Sequence, residues 1–127
     1  PTAGSFTTMT MDYVGTPTYT RIGRQVTVTA LFRTDNVDAT GASGDLTVSG
    51  LPFPAAAANY SAATIGWASG FASDTPISGY VYAETSAVGL VERSAVDGNV
   101  TDCGIDSLTT GASAAKNTIY LSATYFA

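Results

Sequence analysis

The stretch QVTVTALFR, from Gln25 to Arg33, decides the fold class of this chain. Every second side chain is apolar and shares one face: Val26, Val28, Ala30 and Phe32. The opposite face carries Thr27, Thr29 and Leu31. A hydrophobic period of two residues is typical of a half-buried β-strand. We therefore expect a strand from Gln25 to Arg33.

A second strand is expected immediately before it, from Tyr19 to Ile22. The two strands are separated by Gly23 and Arg24 alone. Glycine at the first position of a two-residue loop favours a type II′ turn, whose twist suits a tight hairpin. The sequence therefore predicts a β-hairpin over residues 19–33.

The rest of the chain also predicts strands and turns. Asn117–Phe126 alternates like the first stretch, with Ile119, Leu121, Ala123 and Tyr125 on one side and Tyr120, Ser122 and Thr124 on the other. Shorter strands are expected at Phe6–Met11, Leu46–Val48, Ala62–Trp67, Ile77–Ala83 and Ala87–Glu92. Ala55–Ala58 is too short to nucleate a helix and is interpreted as a loop or a single turn. Turn signals about every 8–12 residues are the spacing of a sandwich or a barrel and favour a single all-β domain over residues 1–127, which we expect to be an antiparallel β-sandwich.

Composition narrows the range of partners. Only 12% of the 127 residues are charged, and the net charge of −5 repels nucleic acid and anionic membrane surfaces. No apolar stretch approaches the length of a membrane-spanning helix, so no membrane insertion is expected. Because Pro1 and not Met is the first residue, we interpret the chain as a fragment of a longer one or as a processed product. The single cysteine, Cys103, has no internal disulfide partner and is expected to be a small buried or loop side chain.

The residue types argue against catalysis. The chain has no histidine, which removes the commonest general base and metal ligand. An enzyme would have to work with carboxylates alone, as glycosidases do. Most of the carboxylates adjoin Gly, Asn, Ser or Thr and are better explained as solvated turn residues. We therefore expect neither an enzyme nor a cofactor.

The segment DGNVTDCGID, residues 97–106, is a weak metal candidate. Asp97, Asn99 and Asp102 could supply oxygen ligands to Ca²⁺. Their spacing does not match the twelve-residue calcium loop, and no Glu closes the segment. Solvated turn residues remain the favoured interpretation, with ion binding as the alternative.

Four aromatic side chains are candidates for ligand binding. Trp67 and Phe71 lie in a Gly/Ser-rich stretch, where an aromatic ring could stack on the apolar face of a sugar. Burial is the favoured expectation for Trp67, because Trp is usually mostly buried. Tyr80 and Tyr82 share one strand face, and both core packing and an exposed aromatic platform stay open.

Three segments together resemble the domain at the distal end of bacteriophage tail fibres and tail spikes. They are YTRIGRQVTVTALFRT (residues 19–34), TGASGDLTVSGLPFPAA (residues 40–56, centred on Gly50-Leu51-Pro52-Phe53) and NTIYLSATYFA (residues 117–127). The opening GSFTTMTM also resembles the first strand of that family. The matched parts cover about half of the chain, and the stretch Asn59–Thr110 departs from the pattern. Leu51 and Phe53 are expected to pack in the core.

The resemblance implies a jelly-roll-like β-sandwich that forms a homotrimer on the virion, outside the cell. It implies a receptor-binding role without catalysis, towards a bacterial surface polysaccharide or an outer-membrane protein. The main alternative is a domain that trimerises and caps the fibre without touching the receptor. A carboxylate-based polysaccharide depolymerase is a third interpretation.

Overall fold

The computed structural model describes residues 8–93, 98–112 and 116–127. Nine strands lie in this part of the chain: β1 (Thr8–Val14), β2 (Thr18–Ile22), β3 (Gln25–Asp38), β4 (Thr47–Ser49), β5 (Ser61–Ser69), β6 (Ser78–Val81), β7 (Ala87–Arg93), β8 (Val100–Asp102) and β9 (Thr118–Phe126). A single 3₁₀-helical turn spans Ile105–Ser107. The expected all-β class is confirmed. No helix among the described residues is both long enough and apolar enough to cross a membrane.

The strands form one antiparallel sheet in the order β1-β3-β9-β5-β6-β7-β4, with β2 added to β3 and β8 added to β7. The sheet curls like half of a barrel. β9, the last strand in sequence, lies inside the sheet between β3 and β5. β1 and β2 line one edge because the long strand β3 pairs with β2 through its first half and with β1 through its second.

The predicted hairpin is confirmed. β2 pairs with β3 from Thr18 opposite Thr29 to Ile22 opposite Gln25, which leaves only Gly23 and Arg24 in the loop. Gly23 has a φ of 60°, the positive value that the first position of a type II′ turn requires. β6 and β7 also form an antiparallel hairpin, from Ser78 opposite Val91 to Val81 opposite Val88, and residues 55–58 form no helix.

The concave face of the sheet holds the core. Its buried apolar side chains are Val26, Val28, Val37, Leu46, Ala55, Ala63, Val81, Val88, Leu90, Cys103, Ile105, Leu108, Ile119, Leu121, Ala123 and Tyr125. The alternation expected for Asn117–Phe126 is confirmed, because its four apolar members point into this core. Cys103 is completely buried, as expected. The first expected strand is observed from Thr8 onwards; Phe6 lies outside the described residues.

The GLPF segment closes the core from the side of β4. Leu51 and Phe53 are half-buried and pack against the core, as expected. Tyr125 donates its hydroxyl proton to the Phe53 carbonyl oxygen at 2.9 Å, which ties the segment to β9. An apolar cleft of about 300 Å³ remains between β2 and β4, with Tyr19 and Val28 on one side and Val48 and Leu51 on the other.

Candidate functional site

Three neighbouring cross-strand rows of side chains lie on the convex side of the sheet, and a further row of Tyr13, Arg33, Thr118 and Ser69 lies beside the first of them. The first row is Leu31, Tyr120 and Trp67; the second is Thr18, Thr29, Ser122, Thr64 and Ser78; the third is Thr20, Thr27 and Thr124, followed by Ala62 and Tyr80. We call these three rows the outer face. They consist of hydroxyl, aromatic and small aliphatic side chains. The high Thr and Ser content of the strands therefore builds an uncharged, hydrogen-bonding surface.

Trp67 belongs to this outer face, so the expectation that it is buried is wrong. Its side chain is 57% exposed. Ala63 and Ile65 point inwards, and strict alternation would place Trp67 beside them. The pairing of β5 with β9 has an irregularity at Gly66, so that Ile65 opposes Leu121 and Trp67 opposes Tyr120. A β-bulge of this kind re-aims the side chains that follow it, and here it turns the indole outwards.

Trp67 and Tyr120 form an exposed aromatic pair. They lie opposite each other on neighbouring strands, and Tyr120 is 47% exposed. The indole Nε1–H of Trp67 donates to the hydroxyl oxygen of Ser69 at 3.2 Å, a contact within β5 that restricts the ring. Two amphipathic rings held on a rigid sheet suit a ligand with one apolar and one polar aspect.

A shallow depression of about 330 Å³ adjoins the aromatic pair. Tyr120 and Leu31 lie on one side, and Thr29, Thr64 and Ser122 supply hydroxyl groups. Its volume is within the range of small-molecule pockets. Apolar walls combined with a few hydroxyl groups match a neutral, hydroxyl-rich ligand.

A tyrosine cluster made of Tyr60, Tyr80 and Tyr82 lies at the other end of the outer face. Tyr60 is 70% exposed, and its ring centroid is 6.3 Å from that of Tyr80. The rings of Tyr80 and Tyr82 meet edge to face with their centroids 4.7 Å apart. The tyrosine cluster is therefore partly packed and partly exposed, which combines the two interpretations left open for Tyr80 and Tyr82.

Hydrogen bonds fix the tyrosine cluster. The Tyr80 hydroxyl donates to Asp102 Oδ1 at 2.9 Å, and the hydroxyls of Tyr80 and Tyr82 are 3.1 Å apart. The hydrogen bond with Tyr82, partial burial and Asp102 raise the pKa of Tyr80 above its usual value. The phenol therefore remains protonated at neutral pH.

The remaining sequence candidates lie elsewhere. Phe71 is half-buried and packs against the core, so it is not part of the outer face. Asp97 lies outside the described residues. One carboxylate oxygen of Asp102 accepts from Tyr80, and Asn99 is exposed. The described part of the chain contains no group of three or more His, Cys, Asp or Glu side chains that could hold a metal ion, and calcium binding stays a prediction.

Asp12 and Asp35, two neighbouring carboxylates, have a structural role. Lys116 Nζ lies 2.7 Å from Asp12 Oδ2 and 2.6 Å from Asp35 Oδ1, and Arg33 also contacts Asp12 at 2.7 Å. The hydrogen bond from Lys116 is the main cause of the lowered pKa of Asp12. The hydrogen bonds to Asp12 and Asp35 in turn raise the pKa of Lys116. These ion pairs join β1 and β3 to Lys116, two residues before β9.

A buried polar cluster lies under β7. Glu92 is 8% exposed, and its Oε2 accepts a hydrogen bond from Ser107 at 2.8 Å. Burial and then the neighbouring Glu92 carboxylate raise the pKa of Cys103 to about 12. A carboxylate buried without a cation depends on such hydrogen bonds. The cluster thus fastens the 3₁₀ turn to the sheet.

Sequence reasoning missed two members of the surface, Tyr60 and Tyr120. Tyr120 could have been found, because it falls on the same side of the β9 alternation as Ser122 and Thr124. Tyr60 precedes β5 and follows a loop, and no local pattern places it beside Tyr80.

The chain was compared with models of protein families, with curated proteins and with solved structures. These comparisons find no match. The candidate site therefore depends on its own geometry: an aromatic pair, a depression lined by hydroxyl groups and a tyrosine cluster on one face of the sheet.

Proposed function

We propose that this chain is a receptor-binding tip domain of a bacteriophage tail fibre or spike, and that it binds a bacterial surface glycan on its outer face without catalysis. The resemblance of three segments to that family supports the role. The observation that carries the proposal is the exposed Trp67–Tyr120 pair beside a depression lined by hydroxyl groups. In this proposal the domain acts on the virion, outside the host cell.

The chemistry of the surface suits a sugar. A pyranose ring has apolar C–H faces and a rim of hydroxyl groups. The aromatic rings can cover an apolar C–H face, and Thr29, Thr64 and Ser122 can hydrogen-bond to the hydroxyl groups of the sugar. Aromatic side chains on a preformed surface bind without losing much rotamer entropy.

A whole-cell binding assay tests the proposal. The labelled domain is added to the strains that the parent phage infects, with Trp67→Ala beside the unchanged domain. We expect the substitution to reduce binding about tenfold or more, because exposed aromatic anchors dominate such interfaces. Circular dichroism checks that the variant folds. Absence of binding by the unchanged domain to any infected strain would overturn the proposal.

A second candidate function is assembly of the fibre. The resemblance implies a jelly-roll-like sandwich and a homotrimer under both candidates, and in the second candidate forming that trimer is the main role of the domain. The second candidate is favoured by the apolar cleft between β2 and β4 and by exposed apolar side chains along the β2 edge, where Ile22 is 75% and Tyr19 is 56% exposed. An exposed apolar edge strand is a ready surface for another chain.

Matched substitutions separate the two candidates. Tyr19→Ala lies at the β2 edge, whereas Trp67→Ala lies on the outer face. If the domain mainly assembles fibres, Tyr19→Ala changes the mass measured by light scattering and neither substitution changes cell binding. If it binds the receptor as proposed, Trp67→Ala reduces cell binding and leaves the mass unchanged.

A further inference from the structure

We infer that the ligand of the outer face is an uncharged oligosaccharide chain that contacts the Trp67–Tyr120 aromatic pair and the tyrosine cluster together. This inference rests on the proposed function and specifies its ligand. It follows from the distance between the two aromatic groups, from the side chains between them and from the charges around them.

The two aromatic groups face the same way. Thr64 opposes Ser122, which shares its face of β9 with Tyr120. Ala62 lies two residues before Thr64, hence on the same side, and it opposes Tyr80 on β6. Trp67 opposes Tyr120. A single flat ligand lying on the sheet can therefore reach both groups.

Their separation requires a chain rather than one sugar. Along β5, the aromatic pair is at Trp67 and the tyrosine cluster is opposite Ala62. Strands rise about 3.3 Å per residue, so the two groups are roughly 15 Å apart once the bulge is allowed for. A monosaccharide bound at either group leaves the other one free.

The surface between the groups offers hydroxyl partners in register. Ser122, Thr64 and Ser78 lie opposite one another on β9, β5 and β6, in the row between the two aromatic groups. Each hydroxyl oxygen has lone pairs that can accept a hydrogen bond from a ligand. Because neighbouring strands lie about 4.8 Å apart, the hydroxyl groups of a row form a regular array that suits a repeating polymer.

The charges on and around the outer face favour an uncharged polymer. The three rows contain no ionisable group other than the phenols of Tyr80 and Tyr120. At the tyrosine cluster, the charged group that contacts Tyr80 is the anion Asp102. The chain as a whole carries a net charge of −5. The nearest cation on this face is Arg33, in the row beside Leu31 and Tyr120, and Asp12 already pairs with it at 2.7 Å. A polyanionic glycan would therefore be repelled by the net charge and would find no unpaired cation beside the rows.

A chain-length series tests the inference. The probes are dextran, mannan and galactan, each as a ladder from the monosaccharide to the polymer, with polygalacturonate as the acidic counterpart. We expect one of the neutral series to bind, with affinity rising about tenfold or more at the length that first spans both groups. Polygalacturonate is expected not to bind.

Substitutions show how the aromatic pair and the tyrosine cluster each contribute to the rise in affinity with chain length. Trp67→Ala should weaken binding at every length, whereas Tyr60→Ala should remove only the additional affinity of the longer fragments. Tyr19→Ala is the matched control and should change nothing, because Tyr19 is an exposed tyrosine that opposes the inward-pointing Val28 and so faces away from the three rows.

The outcomes also separate this inference from the proposed function. Preference for polygalacturonate, or Tyr60→Ala behaving like the control at all lengths, overturns the inference but leaves a glycan site at Trp67. Binding to cells that depends on Trp67, without binding of any polymer in the neutral series, likewise overturns the inference and leaves a glycan site at Trp67. Binding to no cells and to no polymer overturns both.

Discussion

At the scale of the residue, the chemistry of Cys103 is set by burial. Because its pKa is raised to about 12, the thiolate that would attack a disulfide reagent is scarce at neutral pH. We predict that the native protein does not react with a chromogenic aromatic disulfide and that the thiol reacts fully once guanidinium unfolds the chain. Absorbance of the released thiolate measures both states. Rapid labelling of the native protein would contradict the buried position.

Ser107 supplies a hydrogen bond to the buried Glu92 carboxylate. Ser107→Ala removes this donor, and we predict a loss of about 1–3 kcal/mol in the free energy of unfolding. Ser73→Ala is the control, since Ser73 is exposed and its hydroxyl is 3.4 Å from that of Ser107; its cost should stay within about 0.5 kcal/mol. Urea denaturation measures both. Equal losses would mean that the Glu92 bond is not the cause.

At the scale of the element, two glycines on paired strands differ in the space around them. A Cβ at Gly79 would come 2.7 Å from the Gly89 carbonyl oxygen, a backbone atom of β7 that cannot move without disturbing the pairing. A Cβ at Gly66 meets nothing closer than 3.9 Å. We predict that Gly79→Ala lowers the free energy of unfolding by about 1–3 kcal/mol, whereas Gly66→Ala is nearly neutral. Thermal unfolding measures the stability of both variants. A larger loss for Gly66→Ala than for Gly79→Ala would contradict the close packing of β6 on β7.

The ion pairs of Lys116 make stability depend on pH at both extremes. The contribution from Asp12, whose pKa is lowered, is present above the ordinary carboxyl pKa of about 3.9 and is lost as pH falls through its folded value. The contribution from Lys116, whose pKa is raised, is present below about 10.4 and is lost as pH rises through its folded value.

We therefore predict that Lys116→Met is less stable than the unchanged protein at neutral pH and that the gap narrows in acid and in strong alkali. Urea midpoints across the pH range measure it. Arg24→Met is the control for charge, because Arg24 contacts the Ala127 carbonyl oxygen at the other end of β3. A gap that stays constant with pH would contradict a role for the ion pairs, and the same narrowing in Arg24→Met would assign the effect to net charge.

The strands and the outer face differ in how far local sequence predicts them. The alternation in Gln25–Arg33 and Asn117–Phe126 is a local signal, and it predicted the strands and the inward side chains of β9. The bulge at Gly66 depends on how β5 meets β9, so alternation alone places Trp67 on the wrong side. The contact of Tyr80 with Asp102 joins residues from strands that meet only through β7, and no sequence spacing predicts it.

At the scale of the whole molecule, local patterns predicted an all-β domain but not the connectivity of its sheet. Alternation shows which side chains turn inwards and does not show which strands are neighbours. The described strands form one curled sheet because β9 joins β3 to β5. Whether copies of the chain pack against the open cleft between β2 and β4 is the question that the Tyr19→Ala experiment addresses.

The interior position of β9 has a consequence for synthesis on the ribosome. Residues 118–126 are made after all the other described strands, yet they join β3 to β5. A nascent chain that stops before Thr118 lacks this junction, and its two halves cannot assemble into the sheet. The domain must therefore fold after its last strand has left the exit tunnel, since contacts this distant along the chain form late. Stalled ribosomes carrying chains that end before and well after β9 should differ sharply in protease resistance.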